Sequence, residues 1–161
     1  IYNYDLIDHI DTRIKEPKSI VKKMEKKKYD KTYLNLIEKI NDIAGIRIVC
    51  TLKDDIFFIR DLVKQIPDIH VLKEKDYVTN PKESGYSSYH MIVEVPVKLT
   101  QKTIYVKCEI QIRTLAMDFW ASFEHKVKYK TKNDVNPKMS KELVSCAKMI
   151  NKFDTKMINY K

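Results

Sequence analysis

The spacing of apolar residues along the chain predicts helices and strands in alternation. Apolar residues three and four positions apart predict helices over 17–28, 32–41 and 54–65, and the first of these opens at Pro17. The chain is expected to run from its first residues directly into this charged helix. Short apolar runs rich in β-branched residues predict strands over 46–51 and 69–78, and 80–86 has the composition of a loop.

Two later segments alternate between an apolar and a more polar face, and the alternation is stricter in the second. Over 89–95 the odd-numbered residues are apolar, and over 104–113 the even-numbered residues are apolar, so each segment is predicted to be a strand with one buried face. Glu109, Gln111 and Arg113 then share a polar face, with neighbours about 7 Å apart. Helices interleaved with a mixed sheet predict an α+β (mixed α/β) domain.

Two helices are predicted after these strands. Thr114 is expected to cap the first, whose predicted apolar stripe consists of Leu115, Phe119, Trp120, Phe123 and Val127. The second follows Pro137, and its apolar residues form a heptad pattern made of Met139, Leu143, Cys146, Ile150, Phe153 and Met157. The pattern leaves open whether this helix docks on its own domain or contacts another copy. We therefore divide the chain into a domain over 1–135 and a C-terminal helix over 136–161.

Composition narrows the classes of partner and site. With 161 residues the chain is the size of one domain, and its net charge of +9 favours anionic partners such as nucleotides, nucleic acid or an acidic membrane surface. The two glycines, Gly45 and Gly85, are too few for a Rossmann fingerprint or a Walker loop. Three widely spaced cysteines argue against a zinc knuckle and a disulfide scaffold and fit a reducing cytoplasm. Because no apolar run approaches about 20 residues, no membrane span is expected.

The segment 13–28 is strongly basic, with eight basic and two acidic residues. Helical spacing places Ser19, Lys22, Lys23 and Lys26 on one face. Such a face is often simply solvated surface. The alternative is a triphosphate site, because several ammonium groups and one guanidinium neutralise phosphates without a glycine loop.

Two carboxylates and a loop complete the candidate chemistry. Asp42 precedes the strand that contains Arg47, and it approaches Glu109 if the two strands pair. Mg²⁺ at phosphoryl-transfer sites is held by one or two carboxylates together with substrate phosphates. Tyr86 follows Gly85 in the loop and either anchors it or presents a ring on which a base stacks. A lone histidine such as His90 is more often structural than catalytic. The spacing of the four histidines in the sequence argues against a zinc site.

Four segments carry a family resemblance, and they occur in the family's order with compatible spacing. They are RIKEPKSIVKKM at 13–24, DIAGIRIV at 42–49, PKESGYSSYH at 81–90 and EIQIRTLAMDFWASFEH at 109–125. Together they resemble the synthetase domain of the RelA/SpoT alarmone enzymes, most closely the stand-alone small alarmone synthetases. The resemblance covers about 13–130.

The resemblance implies a nucleotidyltransferase-like mixed sheet flanked by helices, and a GTP pyrophosphokinase that acts in the stringent response. Such an enzyme transfers the β,γ-pyrophosphate of ATP to the 3′-hydroxyl of GDP or GTP and makes (p)ppGpp. Asp42 and Glu109 would hold Mg²⁺, and Glu109 would also accept the 3′-hydroxyl proton. The residues implied for ATP are Arg13 and Arg47 around the adenine and Lys15, Ser19 and Lys23 at the phosphates. The residues implied for the acceptor are Tyr86 stacked on guanine, with Lys82, His90, Gln111 and Asp118.

The resemblance also sets expectations about regulation and alternatives. The chain has no His-Asp dipeptide and little room for a hydrolase half, so synthesis without hydrolysis is expected. A homo-oligomer, with a tetramer favoured, is expected through the C-terminal helix. Two alternatives remain open: a toxin-like relative that modifies adenosine nucleotides or the tRNA 3′ end, and a non-catalytic nucleotide- or RNA-binding module. An RNA partner is compatible with the charge but not required.

Overall fold

The computed structural model describes residues 4–131 and 136–160, and these contain a five-stranded mixed sheet. The strands are β1 (Ile7–Ile14), β2 (Ala44–Cys50), β3 (His70–Asp76), β4 (Tyr89–Lys98) and β5 (Thr103–Thr114). Their order across the sheet is β1-β2-β5-β4-β3. The β2–β5 pair is parallel, and the other neighbours are antiparallel. The parallel pair lies at the centre and brings the chain before β2 close to the middle of β5.

Helices surround this sheet, so the mixed α+β prediction is confirmed. They are α1 (Pro17–Lys26), α2 (Tyr33–Lys39), α3 (Lys53–Lys64), α4 (Leu115–Lys130) and α5 (Pro137–Met157), followed by a 3-10 turn over Ile158–Tyr160. The expected cap of α4 is present, because Thr114 Oγ1 accepts a hydrogen bond from the backbone N–H of Met117. In the part of the chain that the structure describes, no helix is both long enough and apolar enough to cross a bilayer.

The main core lies between one face of the sheet and α3. Met91 and Val93 of β4 and Ile110 and Ile112 of β5 are buried there, as the alternation predicts. Ile56, Ile59 and Val63 of α3 cover them. The opposite face of the same strands carries the polar residues, which the sheet holds at fixed spacing.

Strand β1 is missing from the sequence prediction, which has the chain running directly into a helix. Its sequence, IDHIDTRI, lies at the edge of the sheet and is mostly exposed, so it lacks the apolar alternation of a half-buried strand. As a consequence Arg13 lies on β1 and not on the basic helix. Helix α1 also ends at Lys26, two residues early, and Lys28 adopts a left-handed φ of 56°.

The predicted apolar stripe of α4 is wrong for three of its residues. Leu115, Phe119 and Phe123 are 45%, 70% and 51% exposed. The buried face instead consists of Met117, Trp120, Ala121 and Glu124. The rotation follows from docking against α5, where the indole N–H of Trp120 donates to the carbonyl of Leu143 at 3.0 Å.

The heptad residues of α5 do not form one docked face. Leu143 is buried and Ile150 packs against the α4–α5 cluster, but Met139, Cys146 and Phe153 remain exposed. The helix docks mainly through Leu143, Ala147, Ile150 and Asp154. The residues spaced by seven, 139, 146 and 153, therefore lie on the outer side of the helix.

Candidate active site

The polar face of the sheet carries two rows of residues that cross all five strands. The first row is Lys75, His90, Gln111, Arg47 and Asp11. The second row is Lys73, Ile92, Glu109, Gly45 and Arg13. Because neighbouring strands fix the register, residues far apart in the sequence become neighbours. Gly45 stands between Glu109 and Arg13, and the Arg13 side chain lies against it, with Cγ 3.5 Å from the position that a Cβ would take.

A cavity of about 380 Å³ opens over this face, and both predicted carboxylates line it. Asp42 lies just before β2 and Glu109 in the middle of β5, so the parallel pairing brings them together. The basic wall of this cavity consists of five lysines: Lys23, Lys27, Lys39, Lys73 and Lys75. A cavity of this size with acids inside a cationic wall suits a phosphorylated ligand.

Asp42 is held by two of the predicted phosphate-binding lysines. The Nζ atoms of Lys15 and Lys23 lie 2.6 Å from its Oδ2 and Oδ1, respectively. Burial acts to raise the pKa of Asp42, but the hydrogen bonds from the two lysines outweigh it and lower that pKa overall. Asp42 is therefore ionised at neutral pH.

Glu109 is also held in its ionised form. His90 Nδ1 lies 3.3 Å from Glu109 Oε1, and Gln111 Nε2 donates to Oε2 at 3.1 Å. The hydrogen bond with His90 lowers the pKa of Glu109 and outweighs burial, and the nearby charge of Asp42 acts in the raising direction. The effect of the Asp42 charge on Glu109 agrees with the place of both carboxylates in one cavity.

Tyr86 stands beside this cavity and connects to Glu109 through His90. Its hydroxyl accepts a hydrogen bond from Arg113 Nη2 at 2.6 Å and lies 2.9 Å from His90 Nε2. Because the Glu109 carboxylate can only accept, the consistent neutral tautomer of His90 carries its proton on Nδ1, facing Glu109, and its Nε2 accepts a hydrogen bond from the Tyr86 hydroxyl. The ring of Tyr86 also faces Lys82 Nζ, 4.9 Å from its centroid.

Arg113 connects the predicted acceptor contacts, although its only predicted feature is its place on the polar face of β5 and it is absent from the residues implied for the acceptor. Its guanidinium is buried and donates to Tyr86 Oη, to Gln111 Oε1 at 2.7 Å and to Asp118 Oδ1 at 3.1 Å. Arg47 Nε lies 3.4 Å from the same oxygen of Asp118. Contacts to Asp118 Oδ1 therefore come from two guanidinium groups, and a guanine would have to approach its other oxygen.

The remaining predicted ATP contacts lie at the other end of the polar face. Arg13 and Arg47 both line a small cavity of about 60 Å³ together with Glu109 and Gln111. That is room for a few water molecules, so the two arginines must move apart to hold a purine between them. Ser19 precedes Lys23 by one turn on the same face of α1.

Lys73 and Lys75 are functional candidates that the sequence analysis missed. They alternate along β3 and line the cavity with Glu109. The signal available in the sequence is weak, because lysines on an edge strand are ordinary solubilising residues. Only the pairing of Lys75 with His90 on β4 identifies their side of the sheet.

Comparison with known proteins identifies the family. A family model described as a region found in RelA/SpoT proteins matches residues 12–134. The chain belongs to the RelA/SpoT family. This RelA/SpoT chain is 45% identical to the GTP pyrophosphokinase YwaC of Bacillus subtilis over 161 residues, which are 100% of the chain and 77% of that protein.

Solved structures agree with this membership. The small alarmone synthetase 2 from Bacillus subtilis has a TM-score of 0.89 and 44% identity, over 98% of the RelA/SpoT chain and 82% of the other. The small alarmone synthetase 1 from the same organism, bound to its product pppGpp, has a TM-score of 0.86 and 36% identity, over 96% and 78%. The expected nucleotidyltransferase-like arrangement of a mixed sheet, flanking helices and C-terminal helix is thus shared with alarmone synthetases.

Proposed function

We propose that the protein is a GTP pyrophosphokinase that transfers the β,γ-pyrophosphate of ATP to the 3′-hydroxyl of GDP or GTP. The observation that carries the proposal is the joint presence of Asp42 and Glu109 in one cavity with a lysine wall. The chain also aligns with most of the length of two relatives named GTP pyrophosphokinase, 77% of one and 70% of the other. Pyrophosphoryl transfer depends mainly on positioning and charge neutralisation, and this cavity offers groups for both.

The carboxylates suit a divalent cation, which we propose to be Mg²⁺. Carboxylate oxygens are the ligands that Mg²⁺ prefers, and it usually takes one or two of them together with substrate phosphates. Among residues 4–131 and 136–160, no cluster of three or more His, Cys, Asp and Glu side chains is arranged to hold a metal. Asp42 and Glu109 would thus share the cation with bound nucleotide. When bound, the cation would neutralise charge on the transferred group.

Glu109 is proposed as the base that accepts the 3′-hydroxyl proton. Its lowered pKa keeps it ionised, and His90 and Gln111 hold both of its oxygens in place. A base that is fixed by hydrogen bonds is ready for an acceptor hydroxyl placed within hydrogen-bond distance. The same two residues connect Glu109 to Tyr86 and Arg113, so the acceptor contacts and the base form one network.

ATP would bind at the α1 side of the cavity. Lys15, Ser19 and Lys23 are proposed for its phosphates, and Arg13 and Arg47 for its adenine. Lys15 and Lys23 already converge on one point, the carboxylate of Asp42. A phosphate group placed there would take over the same two ammonium groups, which bind phosphate as readily as carboxylate.

The acceptor would bind at the β3–β4 side. Tyr86 is proposed to stack on guanine, with Lys82, His90, Gln111 and Asp118 as polar contacts. Because Lys82 and Arg113 already approach the ring of Tyr86, a base would share it with one of them or displace one. Lys73 and Lys75 extend the cationic wall from His90 and are proposed to contact the 5′-phosphates.

An acceptor assay tests the function. The protein is incubated with Mg²⁺ and γ-labelled ATP, and with GDP, GTP, GMP, tRNA or no acceptor, and the products are separated. Label on guanosine nucleotides together with AMP release is expected. Label on tRNA, or on a 3′-pyrophosphorylated adenosine nucleotide separated from the ATP donor, would indicate the toxin-like alternative, and no AMP release with any acceptor would indicate a binding module. Incubation with labelled ppGpp tests the expected lack of hydrolysis.

A matched pair of variants ties the assay to the cavity. Glu109→Gln is expected to abolish turnover while nucleotide binding persists, because the amide neither takes the proton nor carries the charge. Glu94 lies on the neighbouring strand, paired with Lys107, and does not line the cavity. Glu94→Gln is therefore the control and should leave turnover unchanged. Turnover of Glu109→Gln within a few-fold of the control would reject the assigned role.

We further propose that α5 contributes to a homo-oligomer, with a tetramer favoured. The heptad positions Met139, Cys146 and Phe153 remain exposed on its outer side, available to a second copy. In this division 1–135 form the synthetase domain and 136–161 the C-terminal element. Light scattering of the purified protein tests the oligomer.

We also propose a cytoplasmic location, because Cys50 and Cys108 are free thiols, as expected in a reducing compartment.

A further inference from the structure

The loop that carries Tyr86 rests directly on α5. Lys82 to Gly85 form a turn in which the N–H of Gly85 donates to the carbonyl of Lys82 at 2.8 Å, and Gly85 has a φ of 90°. A Cβ added at Gly85 would lie 2.4 Å from Cβ of Ala147 and 3.6 Å from Trp120 Cζ2. Backbone and helix are therefore in contact with no space for a side chain between them.

Helix α5 is fixed on both sides of this contact. Four residues before Ala147, the carbonyl of Leu143 accepts a hydrogen bond from the indole of Trp120 at 3.0 Å. Seven residues after it, the buried carboxylate of Asp154 accepts from Thr114 Oγ1 at 2.7 Å. At about 1.5 Å per residue these anchors lie about 6 and 10 Å along the helix from Ala147. The helix is thereby held against sliding, so the methyl group of Ala147 is a fixed point.

Tyr86 is the next residue after the contact, and it belongs to the same packed unit. Its ring packs against the cluster of Trp120, Ala121, Leu143 and Ala147, while its hydroxyl bonds to Arg113. A displacement of Gly85 would move the ring relative to His90, because adjacent Cα atoms are joined at a fixed 3.8 Å.

We infer that Ala147 is a positioning residue for the acceptor nucleotide: its side chain is small enough to let the loop rest on α5 with the Tyr86 ring where Arg113 and His90 hold it. The inference rests on the proposed role of Tyr86 in binding guanine. A larger side chain at 147 would push the loop toward the acceptor side, whereas glycine would leave the loop where Arg113 and His90 hold it. Valine tests this better than leucine, because its two γ-carbons fill two of the three staggered positions around Cβ and cannot both turn away from the loop.

The test compares Ala147→Val with Ala147→Gly and with Ser145→Val, which places the same side chain at an exposed position of α5. Binding of a fluorescent GDP analogue and of a non-hydrolysable ATP analogue is titrated, and thermal unfolding is recorded. Because base stacking contributes about 1–3 kcal/mol, losing about 1 kcal/mol of it should raise the Kd for the GDP analogue about fivefold in Ala147→Val. The Kd for the ATP analogue and kcat at saturating acceptor should stay within about twofold.

Ala147→Gly separates positioning from stability. Glycine lowers helix stability by about 1 kcal/mol, so this variant should unfold at a lower temperature yet keep its GDP affinity. Equal weakening of GDP and ATP binding in Ala147→Val, or a loss of GDP affinity in Ala147→Gly that matches it, would overturn the inference. Tyr86→Ala is measured in parallel. If it leaves GDP binding intact, the proposed acceptor site itself fails. If it weakens GDP binding while Ala147→Val does not, the inference about Ala147 alone fails.

Discussion

Arg113 offers the most direct test of how the acceptor side of the site is held together. Its side chain is 6% exposed, and its guanidinium contacts Tyr86, Gln111 and Asp118 as well as Ser88 Oγ at 3.3 Å. Replacement by methionine keeps a long flexible side chain but removes every donor. We expect Arg113→Met to destabilise the fold and to weaken binding of guanine nucleotides.

The structure sets the size of the effect. Removing one partner of a buried ion pair costs about 3–5 kcal/mol, because the other charge is left uncompensated. Here the Asp118 side chain is 17% exposed and Arg47 Nε lies 3.4 Å away, so part of its charge remains compensated. The lower end, about 3 kcal/mol, is therefore expected. For a domain of this size each kcal/mol shifts Tm by about 2–4 °C, which gives a fall of about 6–12 °C.

Urea unfolding and titration with a fluorescent GDP analogue measure both effects. Lys31→Met is the matched control, because Lys31 pairs with Glu25 at the surface and surface pairs contribute about 0–1 kcal/mol. Arg113→Lys keeps the charge but loses the planar fork, so it should recover part of the stability and little of the GDP affinity. A loss below about 1 kcal/mol in Arg113→Met would refute the view that this network is fully desolvated and mutually dependent.

Further predictions address the cavity wall, the ion pairs of Asp42 and the pH dependence of stability. Lys75→Met should raise the Kd for GDP about tenfold and leave that for guanosine unchanged, with Lys98→Met as the control; equal effects on both ligands would exclude a phosphate contact. Lys23→Met should increase the affinity of the nucleotide-free protein for Mn²⁺, measured by electron paramagnetic resonance, because one cation leaves Asp42; an unchanged affinity would argue against competition. Burial acts to raise the pKa of Asp76, but hydrogen bonds from Thr79 and from the N–H groups of Thr79 and Val78 lower it overall. A lowered folded-state pKa stabilises above the unfolded value of 3.8, and this contribution disappears as pH falls through the folded-state pKa. Asp76→Asn should thus be less stable than the parent protein at pH 7 in urea unfolding, and a gap that persists at about pH 2 would contradict the linkage.

Much of the site can be predicted from the sequence because it lies on a strand with strict alternation. The alternation of β5 places Glu109, Gln111 and Arg113 on one face, and the structure has them there. Asp42 lies close to Glu109 only because β2 pairs with β5. The sequence does not predict that pairing, so the approach of the two carboxylates could be stated only on the condition that these strands are neighbours. Periodicity identifies faces within one strand, but it says nothing about which strands are neighbours.

The failures have a shared physical cause. Strand β1 is exposed along most of its length, so no apolar period marks it. Helix α4 has apolar residues around much of its circumference, and its buried face is chosen by the indole of Trp120 reaching the carbonyl of Leu143. In each case the deciding interaction is a contact between elements distant in sequence, and a local pattern carries no information about it.

The double pairing of Asp42 connects the ATP side of the site with the metal site. Lys15 and Lys23 occupy both oxygens of Asp42, each at 2.6 Å, so the carboxylate that is proposed to hold Mg²⁺ is already neutralised in the free protein. These are also the lysines proposed for the ATP phosphates, so a bound triphosphate would compete with Asp42 for the same two ammonium groups. A triphosphate that attracts the lysines would release the oxygens of Asp42. The cation that usually accompanies ATP would then find a free carboxylate only when nucleotide is present. Binding of ATP and binding of the metal are therefore expected to be mutually dependent.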